Sequence, residues 1–315
     1  MKTLYVKDIK PGGGVVTGET FALADIRPGT DKNNRTYYDV SLSDKTGSIK
    51  GKIWADSIQF VDKTAFKVGN VVMIDARIDQ YKGQPQLSVT ALKGVSEELL
   101  DEYLQSSQFD ADKMWDELLS IVESISDEGI RALLQNILND EVLAKKLKYW
   151  PAAVSVHHDF RSGLLQHLLE MYVVAEGMER FYPEANFDIV KAGIFLHDIG
   201  KLEELDSQGV NIVYTKKGSL LGHMAIGLEI ITAHLPENFP INTLLHLQHI
   251  VLSHHGELQY GSPVLPATVE ALIVHNIDNV SADARKAAQA ISESVDEEGM
   301  TSYNKWLSTR FWNGV

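Results

Sequence analysis

Cysteine is absent from the 315 residues of this chain. That excludes disulfides and any thiolate metal site, so a bound metal would have to be held by His, Asp or Glu. Long apolar runs are also missing: nowhere do about 18 consecutive apolar residues occur, the length that signals a spanning helix. The opening residues, MKTLYVKDIK, lack the apolar stretch of a signal peptide. Together these absences set the expectation of a cytoplasmic protein without a membrane partner. Histidine is missing from the whole first half, and all eleven histidines lie between positions 157 and 275. Positive charge is scarce in the larger, later part of the chain. Residues 1–95 hold 14 Lys and Arg against 10 Asp and Glu, whereas the remaining 220 residues hold 15 against 33. Acidic bodies serve solubility by themselves, but a mildly basic front also marks where a polyanion would be received.

The length exceeds one ordinary domain, at roughly 100–200 residues each. The front reads as β-structure. Tyr38, Val40 and Leu42 alternate with Tyr37, Asp39 and Ser41, and the run closes in the turn Asp44-Lys45-Thr46-Gly47. Ser48 to Trp54 then places Ile49, Gly51 and Ile53 on one face and Lys50, Lys52 and Trp54 on the other. Further strands carry Val72, Ile74, Ala76 and Ile78, then Leu87, Val89 and Ala91, which predicts a small barrel. From about Ser96 the periodicity becomes helical, with predicted helices over 111–123, 163–180, 189–197, 221–234 and 243–253. The expected fold class is a multi-domain α and β chain, a β-barrel followed by an all-α domain. The expected divisions are 1–95 for the barrel, 96–150 for a helical linker, 151–281 for the main helical domain and 282–315 for a C-terminal helical extension. That extension could pack within the chain or form an oligomer interface.

The histidines sit in telling surroundings. His197-Asp198 ends the apolar run Ala192-Gly193-Ile194-Phe195-Leu196 and precedes Ile199-Gly200-Lys201. An ionised Asp beside a buried helix end is costly unless a cation or strong donors compensate it. His167 lies within the apolar stripe Leu164, Leu165, Leu168 and Leu169, and His223 follows Leu221-Gly222 at a predicted helix start. His254-His255-Gly256 closes another apolar helix, and Asp278 follows Leu272-Ile273-Val274-His275-Asn276-Ile277. A lone histidine on an apolar face is usually structural; five polar placements in core-like helices point to one shared site.

The order His…His-Asp…His…His-His…Asp resembles the HD superfamily of metal-dependent phosphohydrolases, over about 110 residues. The resemblance implies that His167, His197, Asp198 and Asp278 hold a first metal. Asp198 would bridge to a second ion, held by His223, His254 and His255. The implied cofactor is a divalent metal, two ions in the full site, with Mn²⁺ foremost and Mg²⁺, Fe²⁺, Co²⁺ or Zn²⁺ compatible with the same donors. The implied chemistry is attack of a metal-activated water on phosphorus. Asp198 and Lys201 are the expected catalytic groups, Lys201 neutralising a phosphate oxygen. His158, beside His157, is a further catalytic candidate, with a plain loop pair as its other reading. Glu204 could tether a ligand or lie at the surface; His234, His246 and His249 read as structural.

The front segment resembles an OB-fold of the nucleic-acid-binding kind, with Tyr-Tyr-Asp-Val-Ser-Leu-Ser-Asp-Lys-Thr-Gly as its most characteristic stretch. Lys50, Lys52 and Trp54 on one strand face combine phosphate-neutralising charge with a stacking ring. Arg35, Arg77, Tyr81 and Lys82 extend that candidate surface, with Lys32 beside them. A barrel joined to this HD body is similar to the YhaM family of bacterial 3′→5′ exoribonucleases. The similarity implies hydrolysis of single-stranded RNA to nucleoside monophosphates, with single-stranded DNA an open second substrate. Two positions depart from the family pattern: Ser162 stands where the first of two glycines is expected, and Gln166 where a Glu is expected. Two other readings fit the residues. One is an HD phosphohydrolase acting on a nucleotide or cyclic dinucleotide; the other is a nucleic-acid-binding factor with a vestigial HD site.

Overall fold

The structure is a computed structural model, and it describes residues 2–81, 83–95, 103, 106–152, 160–208, 211–293, 295–296 and 298–314. Two compact units divide the chain: Met1–Ser106 with Ser207–Val213, and Ser107–Asp206 with Tyr214–Val315.

In the first unit five strands close a barrel: β1 (Val15–Thr30), β2 (Thr36–Asp44), β3 (Gly47–Ile53), β4 (Val71–Tyr81) and β5 (Gln84–Gly94). They are ordered β1-β2-β3-β5-β4, and all neighbours are antiparallel except β3 and β5, where Gly51 lies opposite Leu87. This is the five-stranded OB barrel. Alternation builds it, since Ile49, Gly51 and Ile53 of β3 point inward while Lys50 faces solvent. Phe21, Leu42, Ile53, Ile74 and Leu87 fill the interior. The turn after β2 is held by the buried Asp44, which accepts from Thr46 N at 2.8 Å and Val6 N at 2.9 Å. Strand β1 was not expected from the sequence. Its register shifts between Val16 and Glu19 and again between Leu23 and Asp25, so bulges reset the phase and erase the period-two signal.

The second unit is built on α1 (Ala111–Glu123), α2 (Glu128–Asn139), α3 (Glu141–Tyr149), α4 (Gly163–Glu179), α5 (Phe187–Leu196), α6 (Lys201–Glu204), α7 (Lys216–Ala233), α8 (Ile241–Ser253) and α9 (Val269–Glu293). Asp110, Asp127, Asp140 and Asn186 cap four of these by accepting first-turn backbone N–H groups. Helix α5 is central: Ala192 to Leu196 are all buried, and α4, α8 and α9 pack on it. Its C-terminal half is apolar on every side and belongs in a core, so that end delivers His197-Asp198 into the interior.

Three differences from the sequence expectation stand out. A two-stranded sheet, β6 (Leu205–Gln208) with β7 (Asn211–Tyr214), follows α6 and interrupts the all-α pattern. Helix α9 runs straight across position 281 and ends at Glu293, so the tail is not helical to its end. There, Asp296 accepts from Glu298 N and Met300 N, and Met300 bridges to Trp312 and Asn304 to Thr309. An Asp side chain that satisfies the backbone just ahead of it competes with helix and forms a turn. The helix expected from Ser96 falls on 96–102, outside the described residues. Among the described residues no helix is long and apolar enough to cross a membrane.

Two local constraints shape the helical unit. A Cβ on Gly200 would stand 1.9 Å from the His223 carbonyl oxygen and 2.7 Å from Gly227 N, so α6 meets the backbone of α7 directly. Gly200→Ala is expected to force α7 outward at a cost of about 1–3 kcal/mol, read as a lowered urea midpoint. Ser162, at the start of α4, has a left-handed φ of 62°. That conformation costs an L-residue roughly 1–2 kcal/mol, against roughly 0.5–1 kcal/mol of added chain entropy for glycine. Ser162→Gly should therefore raise the melting temperature by about 1–3 °C in calorimetry.

Candidate metal centre

Six of the seven expected ligands fall into two compact groups. In one, His167, His197 and Asp278 bring ligand atoms within 4.8 Å of one another; in the other, His223, His254 and His255 do so. Asp198 belongs to neither by that distance, yet it offers an oxygen to each. Its Oδ2 lies 3.3 Å from His197 Nε2, and its Oδ1 lies 3.6 Å from His223 Nε2 and 3.8 Å from His254 Nε2. In the first group His167 Nε2 is 3.3 Å from His197 Nε2 and 3.2 Å from Asp278 Oδ1.

The helices explain the convergence. His197 caps the C-terminus of α5 and His254 that of α8, so two negative helix ends meet at the site. Asp278 comes from the middle of α9 and His167 from the second turn of α4. Helix α7 is broken at Gly222, whose φ of 71° and ψ of 160° are non-helical. That break releases the His223 N–H from the helix ladder, and it donates to the buried Glu204 Oε1 at 2.9 Å.

The far side of each imidazole is anchored. Nδ1 faces Ile194 O at 2.8 Å in His197, Val251 O at 2.7 Å in His254 and Tyr260 O at 3.0 Å in His255. His223 Nδ1 stands 3.4 Å from Glu204 Oε1, and His167 Nδ1 stands 3.0 Å from Ser281 Oγ. Partners of this kind fix ring orientation and aim Nε2 at the centre. The backbone of the histidine pair is held as well, because His275 Nδ1 lies 2.7 Å from the His254 carbonyl.

What the cluster lacks is as informative. Among the described residues four buried side-chain polar atoms have no hydrogen-bond partner: Trp150 Nε1, Asp198 Oδ1, His223 Nε2 and His254 Nε2. Three of the four face one another here. Orphaned buried polar atoms are expensive, and a divalent cation satisfies all three at once. Their N and O chemistry suits a borderline or hard ion rather than a soft one. The residues therefore fit a metal.

Electrostatics agree. Burial opposes ionisation of Asp198, but Lys201, then His197 and His223, outweigh it and hold its carboxyl well below the ordinary range. Burial likewise works against Asp278, and its close contact with His167 together with the charge of His197 overcomes it, keeping that carboxyl ionised. His197 is raised despite burial, because Asp198 and Asp278 favour positive charge there. His254 is pushed well down by burial and by His197, and His255 down by burial and by His223. Neutral imidazole is the ligating form. Lys201 Nζ donates to Asp198 Oδ2 at 2.6 Å; its pKa is raised because Asp198 overcomes the penalty of burial.

The remaining expected residues divide. His158 and Lys82 lie outside the described residues. On the barrel, Lys52 Nζ sits 4.4 Å from the Tyr37 ring centroid and 5.4 Å from that of Trp54, and those two rings are 5.4 Å apart. Lys52 also pairs with Asp39. Lys52 lies opposite Ser88, and Ser88 opposite Arg77, so both cations share one row across β3, β5 and β4. Lys50 is exposed on the same face as Lys52, and Tyr81 is exposed at the end of β4. Arg35, half-exposed, pairs with Asp31 and Asp56 at 3.0 and 2.9 Å. Tyr37 was missed, although counting outward from the Asp44/Gly47 pair already sets it opposite Trp54. His234, His246 and His249 each engage local partners, Ile230 O, Thr268 Oγ1 and Ala267 N.

Comparison with known proteins adds the family. The HD domain model matches residues 164–283. The 3′-5′ exoribonuclease YhaM of Halalkalibacterium halodurans is 31% identical over 86% of this chain and 84% of its own length. YhaM of Bacillus subtilis is 31% identical over 84% of this chain and 83% of its own, and YhaM of Listeria monocytogenes 32% over 81% of each. The solved second OB-fold domain of replication protein A from Methanococcus maripaludis aligns with 31% of this chain at 18% identity and a TM-score of 0.23, and the barrel's assignment rests on its own strand order. With its HD ligand order intact and its alignment to these relatives running through most of both chains, this chain belongs to the YhaM family.

Proposed function

We infer that this chain is a metal-dependent 3′→5′ exoribonuclease that shortens single-stranded RNA and releases nucleoside monophosphates. The observation that carries this is the meeting of three orphaned buried ligand atoms, Asp198 Oδ1, His223 Nε2 and His254 Nε2, within the HD domain of a chain whose relatives are exoribonucleases.

In this reading His167, His197 and Asp278 would hold one divalent ion and His223, His254 and His255 a second, with one oxygen of Asp198 for each. Bound there, such ions supply Lewis acidity, lowering the pKa of an attacking water and taking up charge on phosphoryl oxygens. Mn²⁺ is the first ion to test, followed by Mg²⁺, Fe²⁺, Co²⁺ and Zn²⁺. Lys201 keeps Asp198 ionised through the 2.6 Å contact and offers its remaining N–H groups to a phosphoryl oxygen. Glu204 holds His223 at both its backbone N–H and its ring. On the barrel, Tyr37 and Trp54 provide stacking faces, while Lys50, Lys52 and Arg77 counter phosphate charge.

The test is an oligoribonucleotide labelled at its 5′ end, incubated with Mn²⁺ and followed by product size. Wild type should yield a ladder retreating from the 3′ end together with nucleoside monophosphates. Asp198→Ala removes several kcal/mol of transition-state stabilisation and should lose about 1000-fold or more in rate. An untouched oligoribonucleotide alongside hydrolysis of a nucleotide or cyclic dinucleotide would assign the site to small substrates instead. Single-stranded DNA belongs in the same assay.

A separate binding measurement addresses the barrel. With a chelator present to prevent cleavage, Trp54→Ala should weaken single-stranded RNA binding about 5-fold or more, since one stacked base contributes roughly 1–3 kcal/mol. Fluorescence anisotropy reads this directly, and unchanged affinity would remove Trp54 from the interface.

A further inference from the structure

Four of the five site histidines direct Nδ1 at a group that can only accept. For His197, His254 and His255 it is a main-chain carbonyl, and for His223 the carboxylate of Glu204. In each Nδ1 therefore carries a proton, and in the neutral ring the lone pair is left on Nε2. His167 differs, because its Nδ1 meets the hydroxyl of Ser281, 3.0 Å away. A hydroxyl can donate or accept, so that contact by itself permits either tautomer, and Asp278 Oδ1, 3.2 Å from Nε2, competes for the proton when no metal lies between them.

The polarity is decided one bond further out. Ser281 Oγ donates to Glu170 Oε2 at 2.9 Å, and a hydroxyl has a single proton to give. Toward His167 it can then only accept, which requires the proton on Nδ1. Glu170 is itself held in the accepting role. Gln166 Nε2 donates to Glu170 Oε1 at 2.7 Å, and the Arg285 guanidinium pairs with the same oxygen. The amide of Gln166 is oriented in turn by Ser107, whose hydroxyl donates to Gln166 Oε1 at 2.7 Å. Donation converges on Glu170, from Ser107 through Gln166 on one side and from His167 through Ser281 on the other. The spacing supports it, since Glu170 follows His167 by three residues on α4 and Ser281 follows Asp278 by three on α9.

We propose that Glu170, acting through Ser281, is a positioning residue that sets the tautomer of His167 and presents its Nε2 unprotonated toward the metal. This rests on the reading that His167 is a metal ligand. The same bonds tie α4 to α9, so loss of stability alone does not test the idea.

The measurement is the imidazole nitrogen spectrum of ¹⁵N-labelled, metal-free full-length protein near pH 8, where an ordinary imidazole is neutral, at about 1.5 units above its usual pKa. His167 is assigned by comparison with His167→Gln. Wild type should show His167 protonated on Nδ1. Ser281→Ala and Glu170→Ala should each bring in a population protonated on Nε2. In calorimetric titration with Mn²⁺ both should weaken one of the two ions about 10–100-fold. Ser281→Thr keeps the hydroxyl and should restore both readouts, which a general packing defect would not allow. The proposal is overturned if wild-type His167 carries its proton on Nε2, or if both alanine variants leave tautomer and affinity unchanged. Should wild type bind two ions and His167→Gln still bind two equally well, the ligand reading beneath the proposal is what fails, whatever the tautomer.

Discussion

The helical unit is organised around one electrostatic demand. Asp198 is buried and ionised just beyond a helix whose last five residues are apolar and buried, with one oxygen on Lys201 and His197 and the other facing two imidazole nitrogens without a hydrogen bond. A carboxylate taken out of water costs several kcal/mol unless positive charge is close by. Lys201 meets part of that demand. A cation among the Nε2 atoms would meet the remainder; these all point inward, because hydrogen bonds on the far side of each ring leave them no other direction.

Much of the surrounding structure serves that geometry. Helices α5 and α8 end at the cluster with their carbonyl termini, which adds negative potential. Gly200 lets α6 touch the backbone of α7, and the break at Gly222 hands the His223 N–H to Glu204. Glu204 and Ser281, the latter backed by Glu170, hold imidazoles in an orientation useful to a metal. A phosphodiesterase site built on rigid helices gains pre-organisation from such a layer, because misplaced ligands lose both affinity and rate. The barrel answers a different requirement. Its outer face joins two aromatic rings to a row of cations, a combination that tolerates any base while favouring a phosphate backbone.

Several elements were legible before any coordinates. The helix over 111–123 follows directly from its periodicity, and the β2–β3 hairpin from strict alternation around one turn. The seven His and Asp positions were legible because polar groups in otherwise core-like helices need a common reason. Strand β1 was hidden, since two bulges reverse which residues face inward. The end of the tail was hidden too, because Asp296 overrides an apparent helical pattern by a local side-chain bond. The two departures from the family pattern acquired physical content: Ser162 occupies a left-handed conformation that glycine adopts more easily, and Gln166 donates to Glu170 as a Glu there could not.

The sequence by itself determined the division into a basic β front and an acidic helical body, the donor types available to a metal, and the positions that carry them. Those are properties of residue type and spacing, which local physics reads directly. Tertiary structure alone decided that six of the seven expected ligands gather as two groups of three with Asp198 facing both, that Lys201 rests on Asp198, that Arg35 pairs with Asp56, and that Tyr37 joins Trp54. It also decided that hydrogen-bond donation converges on Glu170, from Ser107 and from His167. Those depend on which helices meet, at what distance and in which rotamer, and no spacing along the chain encodes a contact between residues 114 positions apart.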